Sequence, residues 1–173
     1  MLHTIGKSPQ GEGLVELLLG CHGRIRSFTS LAIALGEGID TPTNDVVDGC
    51  TRVRRYFSAA LPLHVEDEEE GLFPRMYGRS PEIDAALDRM CSEHSAHAEP
   101  LRRMIALTTS LAGDPGDTTA RAVLARVATE LQQLFTPHLE AEERLIFPAI
   151  ATLVPEDEQR AIVRELRARR RPP

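Results

Sequence analysis

One pattern occurs twice in this chain and constrains its fold more than any other feature. HVEDEEEGLFP runs from His64 to Pro74 and HLEAEERLIFP from His138 to Pro148, with a His, three Glu, a Phe and a Pro in the same register. Residues four apart stand one above the other on a single helical face. His64 is paired in this way with Glu68, and His138 with Glu142. A device used twice must lie on two separate helices whose polar pairs can meet.

Loop signals divide the chain into four long segments, at residues 36–43, 74–81 and 112–117. Within each segment the apolar spacing is helical. Val15, Leu18, His22, Ile25 and Ala32 line the first seam. Cys50, Phe57, Leu61, His64, Glu68 and Leu72 line the second. Leu87, Cys91, His94, Ala98, Leu101 and Ile105 line the third, and Val127, Leu131, Leu134, His138, Glu142 and Leu145 the fourth. The pattern predicts an all-α fold: an antiparallel up-down-up-down four-helix bundle with a short extra C-terminal helix. Residues 13–151 form the bundle, after a flexible segment 1–12 and before a short helix and basic tail over 152–173. Ser80 followed by Pro81, and Asp117, are the expected N-caps. Aromatics make up 4% of the chain and Trp is absent, so Leu, Val, Ile and Ala must build the core. Pro62, Pro100 and Pro137 fall inside helical patterns, either as ordinary kinks or as irregularities beside a site.

The net charge of −6 argues against general affinity for nucleic acid. The arginines between Arg164 and Arg171 read as a solvated end rather than a phosphate grip. Cys21, Cys50 and Cys91 show neither a disulfide framework nor a zinc spacing. No leader pattern and no apolar run of membrane length is present, so a cytoplasmic chain without membrane attachment is expected.

Each seam carries a histidine: His22, His64, His94 and His138. Counted from the helix ends they lie at similar depth, so four imidazoles would converge with Glu68 and Glu142. A lone seam histidine is most simply a satisfied core residue, but six metal-competent groups are not. Burying a carboxylate without a partner costs several kcal/mol or forces protonation, and a cation removes that penalty. Nitrogen and oxygen ligands in this number exceed a tetrahedral zinc site and favour iron or manganese, with two carboxylates able to bridge two ions.

His22, the two HxxxEExxxFP repeats and EHSAH at Glu93–His97 resemble the hemerythrin-like (HHE cation-binding) proteins over nearly the whole chain. The resemblance implies a non-haem centre of two iron ions with an oxo or hydroxo bridge, manganese or zinc being less favoured. It implies His22, His64, Glu68, His94, His138 and Glu142 as metal ligands, the glutamates bridging. Relatives carry, store or sense dioxygen, handle iron, or respond to oxidative and nitrosative stress. The chain departs from the respiratory oxygen carriers twice. Their third helix has His-x-x-x-His, whereas Ala98 follows His94 here; their last helix has His-x4-Asp, against His138-x3-Glu142.

His97 is three residues from His94, on the seam's flank, and is either a substitute ligand or a neighbour of the ligands. One fewer histidine leaves an open position, which favours redox reactivity or sensing over reversible carriage. Glu66, Asp67, Glu69 and Glu70 do not share the His64 face and read mostly as solvated. Glu69 and Glu143 are alternatively acceptors for a ligand N–H. Leu72–Phe73 and Ile146–Phe147 plug one end of the bundle or simply pack its core. The expected function is binding of dioxygen or a related small oxidant for sensing, storage or stress response. The alternatives are a di-iron enzyme that decomposes peroxide or reduces nitric oxide, and an iron reservoir or iron-responsive interaction module. With no output domain beside the bundle, a signal would pass to a protein partner or a second copy of the chain.

Overall fold

The structure is a computed structural model that describes residues 13–38 and 40–171; residues 1–12, including His3, lie outside the described residues. Every regular element among the described residues is helical. The first long helix is α1 (Leu14–Glu37). The second segment runs through α2 (Thr43–Arg55), a π-helical turn at Tyr56–Ala60, α3 (Leu61–Glu66), a second π turn at Asp67–Leu72, and α4 (Phe73–Met76). The third is α5 (Pro81–Gly113). The fourth comprises α6 (Thr118–Ala141), a π turn at Glu142–Ile146 and α7 (Phe147–Leu153), and α8 (Glu156–Arg169) follows. α1 packs against α6 and α2, and α5 against the same two helices, which closes a helical bundle. No helix among the described residues is long and apolar enough to cross a membrane.

Local chemistry sets the helix ends. Asp117 caps α6 as expected, its carboxylate accepting the Ala120 N–H at 2.9 Å. Ser80 precedes α5 in an extended conformation, yet its side chain makes no capping bond. Arg121, buried in α6, donates to the carbonyls of Leu35 and Gly38 and so satisfies the end of α1. Gly36 permits that contact, because a Cβ there would sit 2.5 Å from the Ala125 nitrogen.

The apolar core divides in two. One cluster includes Ile25, Phe57, Leu61, Leu131 and Leu139. The other includes Leu18, Leu72, Phe73, Leu87 and Phe147. Along every long helix the seam histidine falls between these clusters, so the polar residues lie within the bundle rather than at its rim.

Three prolines explain the π turns. A proline at position i has no N–H for the carbonyl at i−4 and its ring collides with that carbonyl. For Pro62, Pro74 and Pro148 the carbonyls concerned belong to Ser58, Glu70 and Arg144, each inside a π turn. The residue before each proline reaches one position further back instead, Leu61 N–H to Tyr56, Phe73 N–H to Glu68, and Phe147 N–H to Glu142. Pro100 and Pro137 sit within uninterrupted α-helix. The extra residue shifts the register, which is why Ile146 and Phe147 are buried in the fourth segment while the expected Leu145 is only half-buried.

Two surface readings of the sequence are corrected. Asp67 is fully buried, not solvated. Its oxygens receive Arg169 at 3.0 Å and Arg170 at 2.5 Å, so these arginines dock rather than trail into solvent. Arg75 and Glu165 tie α8 to the same segment at 2.7 Å. Replacing Arg169 and Arg170 by Met leaves the Asp67 carboxylate buried without a partner, and should lower unfolding stability by about 2–3 kcal/mol. Urea denaturation measures this, and adding Asp67→Asn to the double variant should recover part of the loss.

Candidate metal centre

The six seam residues meet. His22 comes from α1, His64 from α3, His94 from α5 and His138 from α6, with Glu68 and Glu142 each at a π turn. Both glutamates are fully buried, and the four histidine side chains are at most 6% exposed. Glu68 Oε1 lies 3.4 Å from His64 Nε2, and its Oε2 lies 3.4 Å from His94 Nε2. Glu142 repeats the arrangement, with Oε1 3.4 Å from His138 Nε2 and Oε2 3.1 Å from His22 Nε2. Each carboxylate therefore spans two imidazoles, one on its own segment and one across the bundle.

Donor atoms of His22, His64, Glu68 and Glu142 all lie within 4.8 Å of one another, as do those of His94, His138 and Glu142. The rings pair the same way, His22 with His64 at 5.4 Å and His94 with His138 at 4.8 Å, both edge to face. These spacings could be read as hydrogen-bonded ion pairs. Direction argues otherwise: His22 Nε2, His64 Nε2, His94 Nε2 and all four carboxylate oxygens are buried with no hydrogen-bond partner. Lone pairs that approach one another without bonding point at shared positions between them, as ligands to a cation do. The donor set fits a metal on this ground alone, because unpaired carboxylates at such depth are otherwise costly.

The outer ring nitrogens are held by further acids. Glu69 Oε1 is 2.8 Å from His94 Nδ1, and Glu143 Oε1 is 2.8 Å from His22 Nδ1. These two glutamates follow the candidate ligands directly and lie five residues after the repeat histidines. The widened π turn brings that position to the site beside its neighbour. Arg26 also binds Glu143, at 2.8 Å. A third acid, Glu93, places Oε2 2.8 Å from His138 Nδ1, a contact the sequence reading missed. Its signal was present in the Glu-His pair of EHSAH. The residue before His22 is Cys21, and His64 Nδ1 has no hydrogen-bond partner. Three of four imidazoles are thus oriented by a carboxylate, the arrangement that holds a ring's other nitrogen toward a metal.

His97 is buried rather than on the flank, with its ring 5.0 Å from His138 and 4.8 Å from Phe135. It belongs to neither cluster of donor atoms, and Ala98 faces solvent. Phe73 lies parallel to His94 at 6.4 Å and Phe147 lies 5.0 Å from His22, so each repeat's phenylalanine covers the ring its glutamate reaches. All three cysteines are free, Cys21 and Cys50 being buried.

Electrostatics follow from burial and crowding. Burial, then the charge of Glu142, pushes the Glu68 carboxyl up to about 8. Burial works against protonated His94, yet Glu68 and Glu69 outweigh it and raise the ring to about 9. Burial likewise opposes protonation of His22, but Glu142 and Glu143 raise it. Burial holds His64 well below its ordinary value, with its three neighbouring imidazoles adding to the effect. His138 falls to about 4 by burial against the pull of Glu142, and His97 to about 4 by burial and then by His94.

A buried cluster of histidine and glutamate inside a helical bundle is one that could hold a metal ion. Comparison with known proteins identifies the kind: residues 13–150 match the Hemerythrin HHE cation binding domain, and the chain belongs to that family. It is also 27% identical over 82 residues to an uncharacterized protein of Haemophilus influenzae, an alignment covering 46% of this chain and 48% of that one. The matched region is thus about half the length of that relative.

Two outcomes follow for metal uptake. Without a cation, Glu68 and His94 hold protons at pH 7, since their values lie near 8 and 9. A metal must compete with the protons held there, so loading at pH 7 should release protons, and affinity should rise as pH increases from 6 to 9. Titration in weak buffer reads both; uptake without proton release would contradict this assignment. Glu69→Ala should weaken metal affinity about tenfold in chelator competition, because His94 loses the acid that orients it.

Proposed function

We propose that the cluster holds two iron ions and that the protein binds dioxygen or a related small oxidant, for sensing, storage or stress response. His22 and His64 would serve one ion, His94 and His138 the other, with Glu68 and Glu142 shared between them. An up-down-up-down antiparallel order of the four segments, joined by short loops, accounts for the meeting of both repeats. The observation that carries this reading is the set of unpartnered, converging donor atoms. Such a pair of ions supplies reversible one- and two-electron chemistry toward small oxidants.

The chain's own residues define the size of the partner. A cavity of about 30 Å³ lies against His64, His94 and His138 and is walled by Ile25, Leu101 and Phe135. Space on this scale suits a small molecule of water or diatomic size. Ala98 faces solvent, so of the positions after His94 it is His97 that turns toward the bundle interior. His97 lines the same cavity, and at neutral pH its unprotonated ring presents one N–H and one acceptor nitrogen to whatever enters. Phe73 and Phe147 cover the opposite flank and keep bulk water from the cluster.

A second reading, turnover of peroxide or reduction of nitric oxide, draws on the same feature. His97 is a polar group on an otherwise apolar wall, able to hold a proton bridge to the bound molecule. An iron reservoir gains less support, because storage requires no cavity beside the ligands.

Anaerobic loading with ferrous iron should give two irons per chain, and admitting air should produce a near-ultraviolet and visible charge-transfer spectrum. Glu142→Ala should lose iron while retaining helical circular dichroism. Leu101→Trp, which fills the cavity, should keep its iron but react with oxygen at least about tenfold more slowly. Stoichiometry below one iron, or a spectrum indifferent to air, would sink the proposal; peroxide consumption that needs His97 would favour the second reading.

A further inference from the structure

A second cavity, of about 550 Å³, lies apart from the cluster and is lined by Arg52, Arg55, Tyr56, Leu63, Phe28 and Arg170 among others. That volume is in the range of small-molecule sites. Three arginines and no acid are among its lining residues, on a chain whose net charge is −6. Arg170 is anchored by Asp67 at 2.5 Å, whereas neither Arg52 nor Arg55 forms a salt bridge among the described residues.

Basic residues in a last helical turn ordinarily complement the helix dipole. That account fails here, because α2 does not end at Arg55. The Tyr56–Ala60 π turn and α3 continue it, and the Tyr56 N–H already satisfies the carbonyls of Arg52 and Val53. Arg52 and Arg55 therefore lie beside the cavity with no local charge to answer, whereas Arg170 is already engaged by Asp67 and the Leu166 carbonyl. Beneath them the floor is apolar: Phe28 and Tyr56 stack at 4.3 Å with 11° between their planes, and Leu63 adjoins them. A partner must combine an anionic head with an apolar body. The planar fork of arginine suits phosphate oxygens, and several together favour a dianion.

We propose that this cleft binds a small phosphate monoester, with the unpaired Arg52 and Arg55 on the phosphate, Arg170 at its edge, and the ester group on Phe28, Tyr56 and Leu63. The site goes beyond the proposed oxidant chemistry and does not depend on it. It shares backbone with the cluster nonetheless. The Tyr56 hydroxyl lies 3.5 Å from the carbonyl of Cys21, which precedes His22; Leu63 precedes His64, and Asp67 precedes Glu68.

The test is calorimetry of the full iron-loaded chain with n-butyl phosphate, inorganic phosphate and n-butanol. Butyl phosphate should saturate one site, bind more tightly than inorganic phosphate, and leave butanol without detectable binding. The exposed pair Arg52→Gln and Arg55→Gln should retain helical circular dichroism and weaken binding at least about tenfold. The chain has two tyrosines and no Trp, so in a Tyr77→Phe background the emission of Tyr56 reports occupancy of this cleft directly. Absence of saturable butyl phosphate binding, equal affinity for inorganic phosphate, or binding unaltered in the double variant would overturn the proposal. So would arginine-dependent co-sedimentation with phosphatidic acid vesicles in place of butyl phosphate binding, since the partner would then be a membrane surface.

Discussion

Two carboxylates, Glu68 and Glu142, lie at the centre of the bundle with no exposure to water. Most other features near the site answer the cost of placing them there. Neither has a hydrogen-bond partner, and each faces the Nε2 atoms of two imidazoles. Without a cation, burial and the charge of Glu142 raise Glu68, and the neighbouring acids raise His94 and His22, each toward its protonated form. A metal removes the need for those protons, so folding, protonation and metal affinity are one linked equilibrium. The two apolar clusters on either side strengthen that linkage by excluding water from the layer between them.

The repeat is a device for aiming groups as well as supplying them. Its proline forces a π turn, and that turn lets the phenylalanine N–H bond the carbonyl of the candidate ligand glutamate. The same widening sends the following glutamate across the bundle to a histidine on another helix. His22 and His94 are thereby held by acids from the two repeats, and His138 by Glu93 from α5. His64 alone lacks such an acid on Nδ1, so two otherwise matching halves differ electronically. On the outer side, Asp67 binds α8 through Arg169 and Arg170, which brings the C-terminal helix against the residue preceding Glu68.

A cavity of about 30 Å³ adjoins the cluster at His64, His94 and His138, its remaining walls largely apolar. Its one additional polar wall, His97, is kept unprotonated by burial. The larger arginine-lined cleft is distinct from the cluster, although Leu63 in its lining directly precedes His64.

The helical class, the inward pairing of His64 with Glu68 and His138 with Glu142, and the cap at Asp117 were legible in the sequence because they depend on spacing within one helix. Spacing of that kind is a local property, and the duplicated motif repeated it. Other features came only with the tertiary structure. Asp67 was read as solvated because its burial depends on a helix about a hundred residues away. Glu93 was passed over because its partner lies on another segment, and His97 was placed on the flank because its surroundings depend on how α5 packs. The π turns were signalled by proline, yet their effect on register is visible only in the completed helices. Sequence alone therefore determined that His64, Glu68, His138 and Glu142 turn inward, since periodicity within one helix decides that. Tertiary packing decided which of them touch, what lies behind each imidazole and how much room remains between them, because those are relations between helices.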